Sequence, residues 1–324
     1  MPKVQLVALM LLLWGCRRRD ENLILIDGSS TVYPITEAVA EEFLKTHPTL
    51  SVAIGVSGSG SGLAKLLVNE TDIADASRPI TADELAMGKK TGLELIELPI
   101  AYDGLSVVVH PSNNWVDKLT VAELKKIWQP AAQGKLMRWN QIRPSFPNSE
   151  IHLYGAGITS GTYDYFTEAI VGTRRSSRGD YTSSEDYNVL VQGVSTDPLA
   201  LGYVGLAYYL ENKAKLKAIP IDDDQDSTGK GAIMPTYQNV RSGIYQPLTR
   251  PLFVYMSREQ AQRPIVRQFM SFFLANAPTL VKETGYVPFS AAIYQRVRQR
   301  FMKGQTGSLF AKKSAGVRID QLLK

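Results

Sequence analysis

The amino-acid sequence predicts an α/β fold, with mainly parallel sheets flanked by helices, divided between two domains. Three observations predict it. The chain has 324 residues, too many for one typical compact domain. Strand, Gly/Ser loop and helix patterns follow one another from about Asn22 onward, the order that builds parallel sheets. Apolar residues make up 44% of the chain against 21% charged, so a sizeable core can form.

The N-terminus comes first. Lys3 supplies a positive charge, and Val4 to Leu13 is apolar except for Gln5. That run is too short to span a bilayer, which needs roughly 20 apolar residues, and it predicts a signal peptide over residues 1–15. It ends in Leu13-Trp14-Gly15-Cys16, and Cys16 is the only cysteine. The segment resembles the bacterial lipoprotein cleavage box, in which the cysteine is lipidated and becomes the first residue; an ordinary secretory leader with an incidental cysteine is the alternative. Residues 16–22 then form a tether, with Arg17, Arg18 and Arg19 at the lipid surface. Export, to the periplasm or cell surface, is the expected localisation. With no second cysteine there is no disulfide framework.

Leu23 to Ile26 is a continuous apolar run, read as a strand buried on both faces. After Gly28-Ser29-Ser30-Thr31, the residues Ile35, Ala38, Val39 and Phe43 recur at helical spacing with Pro34 in the first turn. Val52 to Val56 is a second strand, Ser57 to Gly62 a second loop, and Leu63, Leu66 and Leu67 mark a second helix. Thr81 and Glu84 form the capping box of a third helix. Glu94 to Ile100 is a strand. A change at Ala101-Tyr102-Asp103-Gly104 marks the first crossing between domains, and Leu105 to Val109 starts the next strand. Thr120 to Trp128 is a short capped helix.

A third strand, loop and helix unit covers Ile151–Tyr154, Gly155–Thr162 and Tyr163–Val171. Arg174 to Ser184 is polar and reads as an exposed loop. Tyr187–Val194 is helical; Ala200–Val204 and Leu216–Ile221 are strands; Asp222–Gly231 is an acidic turn region. Pro251–Met256 is the returning crossover strand, and Pro264–Asn276 a helix. The division is 23–101 plus 246–324 for one lobe and 102–245 for the other.

Three Ser/Thr/Gly loops therefore precede helices: Gly28 to Thr31, Ser57 to Gly62, and Thr159 to Thr162. A helix N-terminus carries unpaired N–H groups and a partial positive charge, so it suits an anion. Hydroxyls add donors, and a hydrogen bond to a charged partner contributes roughly 1.5–3 kcal/mol. Any one of these loops is accounted for by simple helix capping. Three alike, spread over two domains, point to a shared anion.

Other chemistries lack a signature. No loop reads as a P-loop, a full dinucleotide-binding fingerprint or a nucleophile elbow. The three histidines, His47, His110 and His152, have no zinc-ligand spacing, and no metal or cofactor is expected. The formal charge of +5 is concentrated near the N-terminus, and no basic stripe interleaved with aromatics suggests nucleic acid.

Several segments together are more specific than any loop alone: Asp27-Gly-Ser-Ser-Thr-Val-Tyr-Pro34, Gly58-Ser-Gly-Ser-Gly62, Ala76-Ser-Arg-Pro-Ile80, Ala101-Tyr-Asp-Gly104, Ser160-Gly-Thr162, and the run from Asp180 through Leu201-Gly-Tyr-Val204. Over nearly the whole chain beyond the leader, the sequence resembles the phosphate-binding proteins of bacterial high-affinity phosphate ABC transporters. The resemblance implies a two-lobed periplasmic-binding-protein fold (type II) with a cleft between the lobes. It implies a non-enzymatic monomer that captures inorganic phosphate and hands it to a membrane ABC permease. By position it assigns Ser30, Thr31 and the Val32 amide to the first donor loop, Ser59 to the second, and Ser160, Gly161 and Thr162 to the third, with Ser77 nearby.

Two positions depart from the family pattern. Many members carry an Asp directly after the residue matching Ser77, where this chain has Arg78; many carry an Arg four residues before the third-loop Ser, where this chain has Ala156. The family's carboxylate accepts the phosphate proton and so rejects sulfate. Arg78 is therefore expected as a ligand, with an ion pair to Asp75 as the alternative. Asp103 is the first choice for proton acceptor, followed by Asp75, Glu185 and Asp186. Rival functions are binding of another oxyanion such as sulfate or molybdate, a surface phosphate-ester hydrolase, and a receptor that has lost the pocket.

Overall fold

Buried and half-buried residues alternate along β1 (Leu23–Gly28), so this strand keeps one face on the core, not both. The computed structural model describes residues 20–225, 231–310 and 319–323. The expected leader, Cys16 and the part of the acidic turn at 226–230 lie outside the described residues.

From β1 the chain winds through α1 (Tyr33–Thr46), β2 (Ser51–Gly55), α2 (Ser59–Leu67), β3 (Ile73–Ala76) and α3 (Ala82–Lys90). Ile35, Val39, Ala40 and Phe43 bury one stripe of α1, as their helical spacing requires. The Thr81–Glu84 capping box forms: Glu84 N–H donates to Thr81 Oγ1 and Thr81 N–H to Glu84 Oε2. β2 and β3 flank β1 in parallel.

β4 (Leu95–Val109) is one fifteen-residue strand, buried throughout. The strands expected on either side of residues 101–104 are one, and the change at that point is a change of partner. Leu95 to Gly104 pair antiparallel with a late strand, and Leu105 to Val109 pair with a different one. The crossing is thus a continuous ribbon, stabilised by ladder hydrogen bonds on both sides.

Beyond it lie β5 (Leu119–Thr120), α4 (Val121–Trp128), β6 (His152–Ala156), α5 (Gly161–Phe166), β7 (Thr182–Ser184), α6 (Tyr187–Thr196), β8 (Ala200–Gly205), α7 (Leu206–Glu211), β9 (Lys217–Ala218) and β10 (Ile221–Asp222). The expected Leu216–Ile221 strand is split between β9 and β10; Pro220, between them, has no N–H for a ladder. The Arg174–Ser184 loop is not wholly exposed. Arg178 is buried, donating to the carbonyls of Ile127 and Leu136 and pairing with Asp180.

The chain returns through α8 (Tyr237–Ser242), a cis Gln246–Pro247 bond, and β11 (Thr249–Ser257), then α9 (Pro264–Glu283), α10 (Ala291–Met302) and α11 (Ile319–Leu322). The main sheet runs β2-β1-β3-β11-β4-β8-β6-β7, with β9 also on β4. β1, β2 and β3 are mutually parallel, as are β6, β7 and β8; β11 is antiparallel to both neighbours, and β4 is antiparallel to β11, β8 and β9. Each half is therefore a mainly parallel sheet, joined by two antiparallel ribbons. The three Ser/Thr/Gly loops follow β1, β2 and β6, at the C-terminal strand ends where ligands of such sheets bind.

Candidate functional site

The first loop folds on itself. Val32 and Tyr33 N–H groups both donate to the Ser29 carbonyl, at 3.1 and 3.0 Å, and Thr31 N–H donates to Ser29 Oγ at 3.2 Å. This presents the Thr31 hydroxyl inward, with Ser30 half-buried beside it. In the second loop, Gly58 has φ 89° as the residue before α2. Only glycine adopts this readily, and a Cβ there would lie 2.7 Å from the Thr159 carbonyl oxygen of the other half. Ser59 Oγ accepts from the Ser77 N–H at 3.0 Å and lies 3.2 Å from Ser77 Oγ. In the third loop Ser160 caps α5 by accepting from Thr162 N–H at 3.1 Å.

These loops meet. A Cβ on Gly161 would fall 2.3 Å from Ser59 Oγ and 2.5 Å from Ser77 Oγ. Thr31 Oγ1 and Thr162 Oγ1 are 3.3 Å apart although 131 residues separate them. Ser29, Thr31, Ser59, Ser77, Ser160 and Thr162 are all buried. The two halves therefore touch across one cluster of hydroxyls and helix starts. The first residues of α2 and α5 have no intrahelical acceptor for their N–H groups. A surface hollow of about 700 Å³ lies elsewhere, between Asn22, Leu50 and Arg263.

At the centre of the cluster is a cation the sequence reading missed. Arg250, in β11, is fully buried. Its Nη2 donates to Asp103 Oδ2 at 2.9 Å, to Thr162 Oγ1 at 2.8 Å and to Thr31 Oγ1 at 3.4 Å. Its Nη1 donates to the Ser77 carbonyl at 3.2 Å. One guanidinium thus touches the first and third loops and the residue beneath the second. Burial raises the Asp103 pKa above the usual carboxylate value, with Arg250 pulling the other way. Asp103 Oδ1 accepts no hydrogen bond of ordinary geometry, although the Gly104 and Leu206 amides lie close enough to favour its charge. The site thus offers many donors, one buried cation and one carboxylate oxygen still able to accept. That suits a small tetrahedral oxyanion carrying a proton.

A family model described as a PBP superfamily domain matches residues 17–277. Protein SphX of Synechococcus elongatus is 49% identical over 303 residues, covering 93% of this chain and 88% of its own. The phosphate-binding protein PstS of Staphylococcus saprophyticus is 35% identical over 272 residues, 83% of this chain and 81% of its own. The chain belongs to the PstS-type periplasmic binding proteins. A Clostridium perfringens protein described as a phosphate ABC transporter substrate-binding protein, crystallised with phosphate, superposes with a TM-score of 0.68. It shares 26% identity and covers 83% of this chain and 100% of its own. The fold is the two-lobed one of this family.

For a PstS-type chain, two sequence expectations need correction. Arg78 does not point its fork at the hydroxyl cluster. Its Nε donates to Asp164 at 2.8 Å, its Nη1 to Glu84 Oε2 and the Pro79 carbonyl, and its Nη2 to Glu84 Oε1 at 2.7 Å. Four of its five N–H groups are engaged, and the partners are not Asp75. The Val32 amide is likewise occupied, by the Ser29 carbonyl. Among the alternative acceptors, Glu185 takes the Thr159 N–H and hydroxyl, and Asp186 caps α6 through the Asn188 N–H. Asp75 is buried beside Thr36, which donates to its Oδ2 at 2.8 Å; burial above all, then the charge of Asp27, pushes its pKa up to about 7. Among the described residues no group of three His, Cys, Asp or Glu gathers to hold a metal.

Arg250 carried one legible signal. It stands between Thr249 and Pro251 at the head of the apolar run read as the returning crossover strand, where a charge that becomes buried needs a partner.

Proposed function

We propose that this chain binds inorganic phosphate as HPO₄²⁻ between its lobes and delivers it to an ABC permease. Thr31, Ser59, Ser77, Ser160 and Thr162 supply hydroxyls, with Ser30 at the edge; the starts of α2 and α5, including the Gly161 N–H, supply amides. Arg250 supplies the positive charge, and Asp103 Oδ1 accepts the phosphate proton. The observation that carries this reading is the buried Arg250–Asp103 pair set against the facing hydroxyls of Thr31 and Thr162. A fully ionised sulfate would meet Asp103 as a repulsion, whereas hydrogen phosphate meets it as a donor.

The protein acts as an exported monomer held at the membrane by lipid on Cys16, and the lobes close over the anion by bending about β4 and the Gln246–Pro247 segment. Phosphate touches both lobes only in the closed form, so it shifts the population toward that form. Calorimetric titration with phosphate and with sulfate tests the reading. Tight phosphate and weak sulfate binding are expected; the reverse order would overturn it. Labelling of Cys16 by a radioactive fatty acid during expression in bacteria tests the anchor.

A further inference from the structure

We propose that Tyr187 is a positioning residue for the anion site, obliging the Thr162 hydroxyl to act as a donor. The inference rests on the phosphate reading above and deepens it. Tyr187 is the first residue of α6 and is buried, with its ring tilted against Tyr208 at 4.8 Å between centroids. Its hydroxyl donates to Thr162 Oγ1 and stands 3.5 Å from Thr31 Oγ1.

A threonine hydroxyl has one proton and two acceptor sites. Arg250 Nη2 can only donate, and it reaches Thr162 Oγ1 at 2.8 Å. Tyr187 O–H donates to the same oxygen. Both acceptor sites are then filled, and the single Thr162 proton is directed to the remaining side, where Thr31 Oγ1 lies 3.3 Å away. An anion oxygen between the two lobes receives that proton with no rotamer search by the hydroxyl. The same arrangement refuses a ligand O–H at Thr162, since no lone pair is free to accept it. The ligand's own proton is thereby steered toward Asp103. Tyr187 achieves this through Thr162, without itself needing to touch the anion.

The test is a double-mutant cycle on the full chain, read by calorimetry with inorganic phosphate. Tyr187→Phe keeps the ring and its packing on Tyr208 and removes one hydroxyl; Thr162→Val removes the group it orients. Tyr187→Phe is expected to weaken phosphate binding about tenfold. It should leave the melting temperature of the ligand-free protein unchanged. On a Thr162→Val background the same change is expected to cost nothing further, because the oriented hydroxyl is already gone. Losses that simply add would mark a role independent of Thr162 and overturn the proposal. So would a Tyr187→Phe protein that binds as tightly as a binding-competent parent, or one whose ligand-free melting temperature falls. If the unmodified protein takes up no phosphate, the phosphate reading itself fails, and that is visible in the parent titration alone.

Discussion

Arg250 and Asp103 face each other directly across the β11–β4 ladder, and the guanidinium Nη2 lies 2.9 Å from the Asp103 carboxylate with neither group reaching solvent. The pair sits on the two strands that join the lobes, so the charge at the site belongs to the connecting ribbons, where the proposed hinge lies, and not to one lobe alone. Arg250→Lys keeps the charge and removes the fork. A lysine cannot reach Asp103, Thr162 and the Ser77 carbonyl at once. Phosphate affinity is expected to fall about a hundredfold, measured by calorimetry. Arg250→Ala leaves a buried carboxylate unpaired and is expected to lower stability by about 3–5 kcal/mol in urea unfolding. A lysine variant that binds like the parent would remove Arg250 from the ligand set.

Asp103→Asn separates the acceptor role from the structural one. The amide keeps the shape but carries no negative charge to repel sulfate. Phosphate should weaken and sulfate should strengthen, so that the ratio of their affinities drops by at least about a hundredfold. Parallel titrations with the two anions measure it. An unchanged ratio would mean that another group reads the phosphate proton.

Much of this arrangement is visible in the residues before any coordinates. The three glycine-serine loops, the capping boxes at Thr81 and Thr120, and the apolar stripe of α1 are local signals, each set by neighbours a few residues away. Choosing between arginines is not local. Arg78 and Arg250 both adjoin a proline and a buried strand, yet Arg78 turns to Glu84 and Asp164 while Arg250 turns to Asp103, 147 residues away. Which way each points depends on the local course of its backbone, Arg250 within β11 and Arg78 just past the end of β3, and on what the other lobe presents. The unbroken course of β4 was hidden for a similar reason, since Gly104 looks like a breaker until β11 and β8 are known to share that strand.

The displaced Arg78 acquires a different task. It belongs to the lobe containing β1 to β3, and Asp164 to the lobe containing β6 to β8; their side chains are buried against each other at 2.8 Å. Burial lowers the Arg78 pKa, but Glu84 and Asp164 together more than reverse this and leave it raised. The Arg78–Asp164 pair therefore bridges the two lobes without touching the hydroxyl cluster, and under the lobe closure proposed above it acts as a latch. Asp164→Asn should release phosphate about tenfold faster in stopped-flow experiments, with little change in the association rate. Equal dissociation rates in parent and variant would show that the pair contributes nothing to closure.

Asp75 predicts how stability follows pH. Its carboxyl titrates near 3.8 when exposed and at about 7 in the folded protein, chiefly because it is buried. The folded state thus holds this proton more tightly than the unfolded state. The contribution is fully present below about pH 4 and is lost as the pH rises through 7, a change of up to about 4 kcal/mol. Asp75→Asn removes the titration. Relative to the variant, the parent should lose stability steadily across that window in urea unfolding series. Two curves running parallel from pH 4 to 8 would place the Asp75 proton elsewhere.

Gly161 offers the sharpest test of closure itself. A methyl group at this position would meet Ser59 Oγ at 2.3 Å and Ser77 Oγ at 2.5 Å, both from the opposite lobe. Contacts this short cannot be relieved by one side chain, since Ser59 Oγ also holds the Ser77 N–H at 3.0 Å. An open protein has no such conflict, because the obstructing atoms move away with their lobe. Gly161→Ala should therefore fold with a melting temperature close to the parent in the absence of phosphate. Its phosphate affinity should fall by at least about a hundredfold, since the binding-competent closed form becomes scarce. Small-angle scattering should show the parent contracting when phosphate is added and the variant keeping its open dimensions. A variant that contracts and binds normally would mean the lobes approach each other by a path that does not bring α5 against α2.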